Sequence, residues 1–470
     1  MVPKLRGRSV SARKDCMARI LAYFGVVAAL FAPPGFGQSG VADSPPAPLW
    51  PRGLHIYEAS VYSGYSTLAY PVTGIEANYS SQISGLGGDW SYGGLVTLGW
   101  QQLGPKSTLS MIYTGGYGGM VHYSGVNGMS QSLAFGYSRT LGGRWTASLS
   151  ASGQDNTLAQ YLFQPARYST ITQSATSFDD FAAAFGIGQY SNAQLASMLT
   201  GAPILESPAQ NLLLGNRILS YSVQAGVDYS YSSRLKLHLS SFSASGQTQS
   251  STNDPNVRQN YVMPRSTGLN GGAGFSYSLS TRTDIGVDAG EYMVWNRFQS
   301  ARGTSVTASL GRKMSRRWFL SIRGGGSETQ ILGHTSSAPI SRQFIGGGTL
   351  GVKTYSHAFV ASYDRSGFDS YGFAVGTSIL ESGSWHWQHP GSRWSTFASF
   401  GEQQLRNTGF VSISGWQAAG GLTVQLQREA AVTIMYSHLR SAGTYNGMYN
   451  EFSVDGIRLS LAWTPVPGVH

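Results

Sequence analysis

The residues able to do chemistry are sparse in this chain, and they fall into no catalytic pattern. The 470 residues include nine His, a single Cys and 22 Asp and Glu. The tightest His grouping is His386-Trp387-Gln388-His389, next to Pro390. Only Glu381 stands near it as an acid, so it suits an aromatic turn at an interface better than a metal site. The phosphate loop GxxxxGK[ST], HExxH, GxSxG and EF-hand patterns do not occur. Gly35-Phe36-Gly37-Gln38-Ser39-Gly40 matches GxGxxG but opens no helix. The sequence alone places no Ser–His or Asp–His constellation on neighbouring segments, and Asp364, Arg365 and Asp369 read as paired surface charge. No enzymatic activity, metal or other cofactor is expected.

A second set of charged residues carries more information. Lys236 and His238 are two apart, Asp284 and Asp288 four apart, and Arg323 and Arg458 sit among small or alternating neighbours. On an extended strand such spacings put each pair on one face. These six are nominated as the charged lining of a water-filled lumen. Their mixed signs predict weak ion selectivity.

Composition limits the elements able to position them. Charged residues are 11% of the chain, aromatic residues 12%, and Gly numbers 61. Few charges with many Gly and Tyr do not suit a soluble α/β enzyme, and the aromatic content does not suit disorder. The formal charge is +10. Half of it comes from Lys4, Arg6, Arg8, Arg13, Lys14 and Arg19 against Asp15. The remainder is too dilute for nucleic-acid binding.

That basic stretch is followed by an apolar run, Ile20–Ala32, then Pro33-Pro34 and small residues up to Gly37. This is the pattern of a secretory signal peptide over residues 1–37. The run is too short to span a bilayer as a helix. Residues 38–53, rich in Pro, read as a periplasmic linker. Cys16 lies in the leader, so the exported chain is expected to hold no disulfide and no Cys ligand or nucleophile.

Between residues 54 and 464 strict alternation recurs. Trp145, Ala147, Leu149 and Ala151 alternate with Thr146, Ser148, Ser150 and Ser152; Val306, Ala308 and Leu310 alternate with Ser305, Thr307 and Ser309. Each strand therefore has one apolar face and one small, polar face. The runs are long enough to cross a bilayer at a tilt. Tight turns are expected near Gly104-Pro105, Gly142-Gly143, Ser232-Ser233, Thr281-Arg282, Ser315-Arg316, Tyr355-Ser356 and Arg428-Glu429, with a less regular one inside 381–393. Longer connections such as 246–268 and 328–343 alternate with them. Trp145, Tyr231, Trp318, Phe319, Tyr355, Trp394 and Trp463 crowd the strand ends, where amphipathic rings favour a membrane interface. Eight hairpins between a first strand near 54–65 and a last one at 452–464 give an all-β, antiparallel transmembrane barrel. Its expected strand number is about 18, with 16 the nearest alternative. Residues 465–470 form a short tail.

The last strand, Gly456-Ile457-Arg458-Leu459-Ser460-Leu461-Ala462-Trp463, resembles the C-terminal assembly signal of bacterial outer-membrane barrels. Val454 and the continuation Thr464–His470 depart from it. More widely, 54–463 resembles porin-like barrels in general pattern. The resemblance implies the outer membrane of a double-membraned bacterium, with its lipid and the barrel-assembly machinery as partners.

One connection stands apart. Residues 156–217 exceed ordinary loop lengths and read as partly helical, with Phe178–Phe185 carrying Asp179 and Asp180 near its start and a second helix at Asn192–Leu199. Folded inward, this loop would constrict or plug the lumen, with Asp179 and Asp180 facing lumen bases. The functional expectation is a channel for passive diffusion of small hydrophilic solutes. The alternative is a non-conducting barrel that serves as a surface-interaction or export-partner scaffold.

Overall fold

In a computed structural model, residues 53–67, 88–122, 128–157, 217–249, 266–295, 300–315, 317–332, 340–366, 376–407, 411–427, 429–445 and 448–465 are described. The expected leader, most of the expected linker, the last five residues and residues 158–216 of the long connection, with Asp179, Asp180 and both expected helices, lie outside them, as do the GxGxxG match and Asp369.

The described residues form one 18-stranded antiparallel sheet. Its strands are β1 Gly53–Ser66, β2 Asp89–Leu103, β3 Ser107–Met120, β4 Gly128–Leu141, β5 Trp145–Thr157 and β6 Arg217–Ser230. Then come β7 Leu235–Gln249, β8 Ser266–Ser280, β9 Thr283–Trp295, β10 Ser300–Lys313, β11 Trp318–Leu332 and β12 Ser341–Lys353. The ring is completed by β13 His357–Ser366, β14 Gly376–Gln388, β15 Trp394–Asn407, β16 Val411–Gln427, β17 Ala430–Tyr445 and β18 Met448–Trp463. Each strand pairs with its neighbours in sequence, and β1 also pairs with β18, from Ala59 opposite Trp463 to Ser66 opposite Gly456. The sheet has no free edge, the condition for a sheet to lie in lipid. The strand number is 18, as the turn count predicts, and not 16.

The registers set the barrel's shape. Carried once round the ring, aligned partners return to β1 displaced by about 22 residues. With strands ~4.8 Å apart and ~3.3 Å per residue, that displacement tilts them about 40° and separates opposite backbones by about 35 Å. The displacement is even, so inward residues meet inward residues where the ring closes. Register shifts occur at Ile56/Glu58, Ser278/Ser280 and Gln425/Gln427, all toward the turn end.

The turns fall where Gly, Pro and Ser mark them. Gly142 and Gly143 hold φ of 62° and 78° between β4 and β5, and Gly391 holds 70° between β14 and β15. These left-handed conformations favour Gly. Both ends of the strand series, at Gly53 and Trp463, lie on this short-turn side.

Exposure alternates residue by residue. On β10 Val306 is 56% exposed, while Ala301, on the opposite face, is fully buried. Large exposed apolar residues recur on the same face of every strand pair: Leu133 and Phe135, Tyr221 and Val223, Leu459 and Leu461. In water this would be an extensive sticky surface; in lipid it is the solvated face. On β10 the outward stretch from Arg302 to Arg312 rises roughly 25 Å at this tilt, the height of an apolar membrane band. Aromatic girdles bound the band. On the turn side Trp145 packs on Tyr229 at 4.4 Å, and Trp387 meets His389 at 4.3 Å and Trp394 at 5.9 Å. On the loop side Tyr65 meets Trp90 at 5.7 Å, Tyr92 meets Tyr117 at 6.3 Å, and Phe400 meets Trp416 at 6.2 Å. Outward Arg–Glu pairs follow on the loop side: Arg302–Glu291, Arg342–Glu328 and Arg440–Glu451. One girdle assignment changes. Phe319 is buried on the inner face, because it follows outward Trp318 and consecutive strand residues point oppositely.

Adjacent glycines on β11 differ sharply in what surrounds them. A Cβ at Gly325 would collide with the Val306 carbonyl, whereas one at Gly326 meets nothing within 4 Å. Gly325→Ala is therefore expected to destabilise the folded barrel by about 2 kcal/mol, and Gly326→Ala to leave it unchanged. Both are read as the temperature at which the folded band converts on a gel.

Candidate pore lining

The inner face is built from what the apolar face leaves over. Ser148, Ser150 and Ser152 on β5, Ser222 and Gln224 on β6, and Ser305, Thr307 and Ser309 on β10 all lie opposite the lipid-facing residues. Many of them hydrogen-bond across strands. Ser152 and Ser222 hydroxyls lie 2.8 Å apart, Ser362 and Ser382 2.6 Å, and Thr97 and Thr114 3.2 Å. These hydroxyl pairs satisfy one another across strands, and the short side chains project little into the bore.

The six charged residues expected to line the lumen all fall on this inner face, opposite outward neighbours such as Leu237, Ile322, Ile457 and Leu459. They do not form one cluster. Lys236 and Asp284 are second in β7 and β9, next to the turn-side mouth, with His238 and Asp288 just above. Arg323 and Arg458 sit nearer mid-height on β11 and β18.

Two ion pairs share an unusual construction. His238 and Asp288 are on β7 and β9, separated by β8, yet Nε2 and Oδ1 lie 2.5 Å apart. The residue between them in register is Gly274. Arg323 on β11 and Asp364 on β13 likewise pair across β12, where Gly347 lies between them. Side chains two strands apart start about 9.6 Å from each other, so the intervening strand must present no side chain. A Cβ at Gly274 would lie 2.6 Å from His238 Nε2 and against Asp288. At Gly347 it would meet the Tyr363 carbonyl and lie 3.1 Å from Asp364 Cα. Each glycine thus acts as a gap that lets an acid and a base meet.

Arg458 behaves differently. It is only 9% exposed, and its guanidinium lies 4.7 Å from the centre of the Tyr62 ring, across the β1–β18 seam. A cation over an aromatic face is attracted by the ring's quadrupole, so Arg458 lies against the wall at the closure.

Alternation also brings in residues that the six-residue nomination missed. Asp228 stands directly opposite His238 in register, and it follows outward Val227, a signal present in the sequence. Asp364 follows outward Tyr363 in the same way. The expectation of no Asp–His or Ser–His constellation on neighbouring strands is corrected: besides Asp228 and His238, on the outer face of β17 and β18 His438 Nδ1 lies 2.8 Å from Asp455 Oδ1 and its Nε2 3.4 Å from Ser453 Oγ, because register joins residues 15 and 17 apart in the chain. The reading of Asp364 as surface charge paired with Arg365 is corrected: consecutive residues point to opposite faces, so Arg365 faces outward and the partner of Asp364 is Arg323. In the His386–His389 segment, His386 is inward on β14 and His389 packs between Trp387 and Trp394 at the turn. No group of three or more His, Cys, Asp or Glu able to hold a metal ion occurs among the described residues.

A closed antiparallel ring with an apolar outer band, two aromatic girdles and a small polar inner wall has the architecture of a porin-like outer-membrane barrel. No family model matches the chain, and no curated protein matches it. Among solved structures it is similar to OccK1 (OpdK) of Pseudomonas aeruginosa at 12% identity and a TM-score of 0.42, over 87% of this chain and 97% of that one. It is similar to OccK2 (OpdF) of the same organism in complex with glucuronate at 11% and 0.42, over 87% and 98%. The FrpB iron transporter of Neisseria meningitidis matches at 9% and 0.37, over 87% and 81%.

The two halves of the Arg323–Asp364 pair should have opposite effects on ion flow. With the barrel in a planar bilayer under a salt gradient, Asp364→Asn is expected to favour anions and Arg323→Gln cations. Each should change the permeability ratio roughly twofold, as for one screened charge. The double variant should return close to the parent value, and shifts of the same sign would contradict the pairing.

Proposed function

We propose that this protein is a channel for passive diffusion of small hydrophilic solutes across the outer membrane of a double-membraned bacterium. On this reading it reaches the membrane through a cleaved leader and the barrel-assembly machinery. The observation that carries the proposal is the inner wall: on strand after strand it presents Ser, Thr and Gly, with few bulky side chains, around a ring about 35 Å across. Such a wall is itself hydrated and hydrogen-bonds water and polar solutes without binding any of them tightly. Lumen charges of both signs, several in pairs, weaken discrimination between anions and cations. Lys236, His238, Asp284, Asp288, Arg323 and Arg458 are the charges that would tune passage, with Asp228 and Asp364 added from their register.

The deciding measurement is single-channel conductance of the refolded mature chain in a planar bilayer. Stable steps that rise nearly linearly with voltage are expected. Persistent silence from protein that migrates as a folded barrel would overturn the proposal.

A further inference from the structure

The outer wall is not uniformly filled. Between β10 and β12 on the loop side it holds a depression of about 480 Å³, bordered by Thr304, Val306, Gly326, Glu328, Arg342 and Phe344. The register explains its form. Val306, Gly326 and Phe344 are aligned in one row, and Thr304, Glu328 and Arg342 in the row above it. Gly326 is the floor, with two larger apolar side chains as walls.

Among the described residues nothing requires the floor to be empty. A Cβ at Gly326 would meet nothing within 4 Å, unlike one at Gly325 next to it. The Phe344 ring does not fill the trough. It lies over Gly324 and Gly346, with Cζ 3.6 Å and 3.2 Å from where their Cβ atoms would be. A glycine that packing does not require, at the base of a groove, marks a place where another molecule comes close.

Charge indicates what that molecule is. Arg342 stands over the groove with its side chain 78% exposed, and its Nε donates to Glu328 at 2.9 Å. That bond sets the plane of the guanidinium and leaves its two terminal nitrogens as the edge that suits a phosphate. Arg302, outward on β10 and held by Glu291 at 2.5 Å, is a second cation at the same height. An apolar trough open to the bilayer, with an oriented arginine at its water-facing end, matches a phosphate above an acyl chain.

We infer that this groove binds one phosphate-bearing lipid of the loop-side leaflet, its acyl chain along Val306, Gly326 and Phe344 and its phosphate on Arg342. The inference rests on the barrel lying in a bilayer and not on its conducting, so a silent channel would leave it standing.

Native mass spectrometry of the folded full-length barrel tests it, with phosphatidylglycerol as the probe and diacylglycerol as the phosphate-free control. Gly326→Leu fills the trough, and Arg342→Gln removes the cation without touching the backbone. Gel migration confirms that each variant is folded. The parent is expected to retain one phosphatidylglycerol in preference to diacylglycerol, and each variant to lose about tenfold in retention, the equivalent of about two buried methylenes. Equal retention by parent and variants would overturn the inference, as would equal binding of diacylglycerol. Loss of a dimer in Gly326→Leu, with lipid binding unchanged, would assign the groove to a second copy of the chain instead.

Discussion

The pairing of β1 with β18 is the interaction on which the rest of this structure depends. A sheet in lipid cannot leave a row of unpaired N–H and C=O groups at an edge, because no water is present to take their place. Closure removes both edges together. It also restricts everything else: once the ring is closed, the registers must sum to an even displacement, or apolar residues would turn into the lumen at the seam. The three register shifts all lie toward the turn end, where the wall meets water and an irregular residue is tolerated.

Closure also explains why the two faces differ in chemistry. The outer face has lipid as its solvent, so large apolar side chains stand exposed there and charged residues gather above the loop-side girdle as Arg–Glu pairs. The inner face is concave and wet. Short hydroxyl side chains cross-link there, and charges remain because water and opposite charges solvate them. Water-exposed pairs contribute little to stability, about 0–1 kcal/mol each. Their effect lies in how charge is spread around the lumen, with His238 and Arg323 each tied to an acid two strands away. Arg458, under Tyr62, instead packs against the wall at the seam.

Glycine has three distinct roles in this wall. At Gly142, Gly143 and Gly391 it supplies the left-handed backbone of tight turns. At Gly274 and Gly347 it withholds a side chain so that ion pairs can reach across a strand. At Gly326 it leaves a groove that nothing among the described residues requires. Composition alone shows only that glycine is abundant, and its three uses separate when neighbours in space are known.

The alternation of apolar and small polar residues, with the turn residues between runs, indicated by itself that the chain is all-β, that it is a barrel with one face in lipid, and that it has about 18 strands, 16 being left open until the closed ring settled it. Those properties are local: strand periodicity, turn residues and hairpin counting act within a few tens of residues. The inward side of Lys236, His238, Asp284, Asp288, Arg323 and Arg458 was legible for the same reason. Partnership was not. Arg323 is 41 residues from Asp364, and His238 is 50 from Asp288. Which residues meet depends on the register of two successive strand pairings, and a slip of one residue in either would separate them. Asp364 was read with its sequence neighbour Arg365 because adjacency along the chain was the only adjacency visible. The tertiary structure replaced it with adjacency across a glycine, and it alone decided the tilt, the seam over Arg458 and the unfilled groove at Gly326.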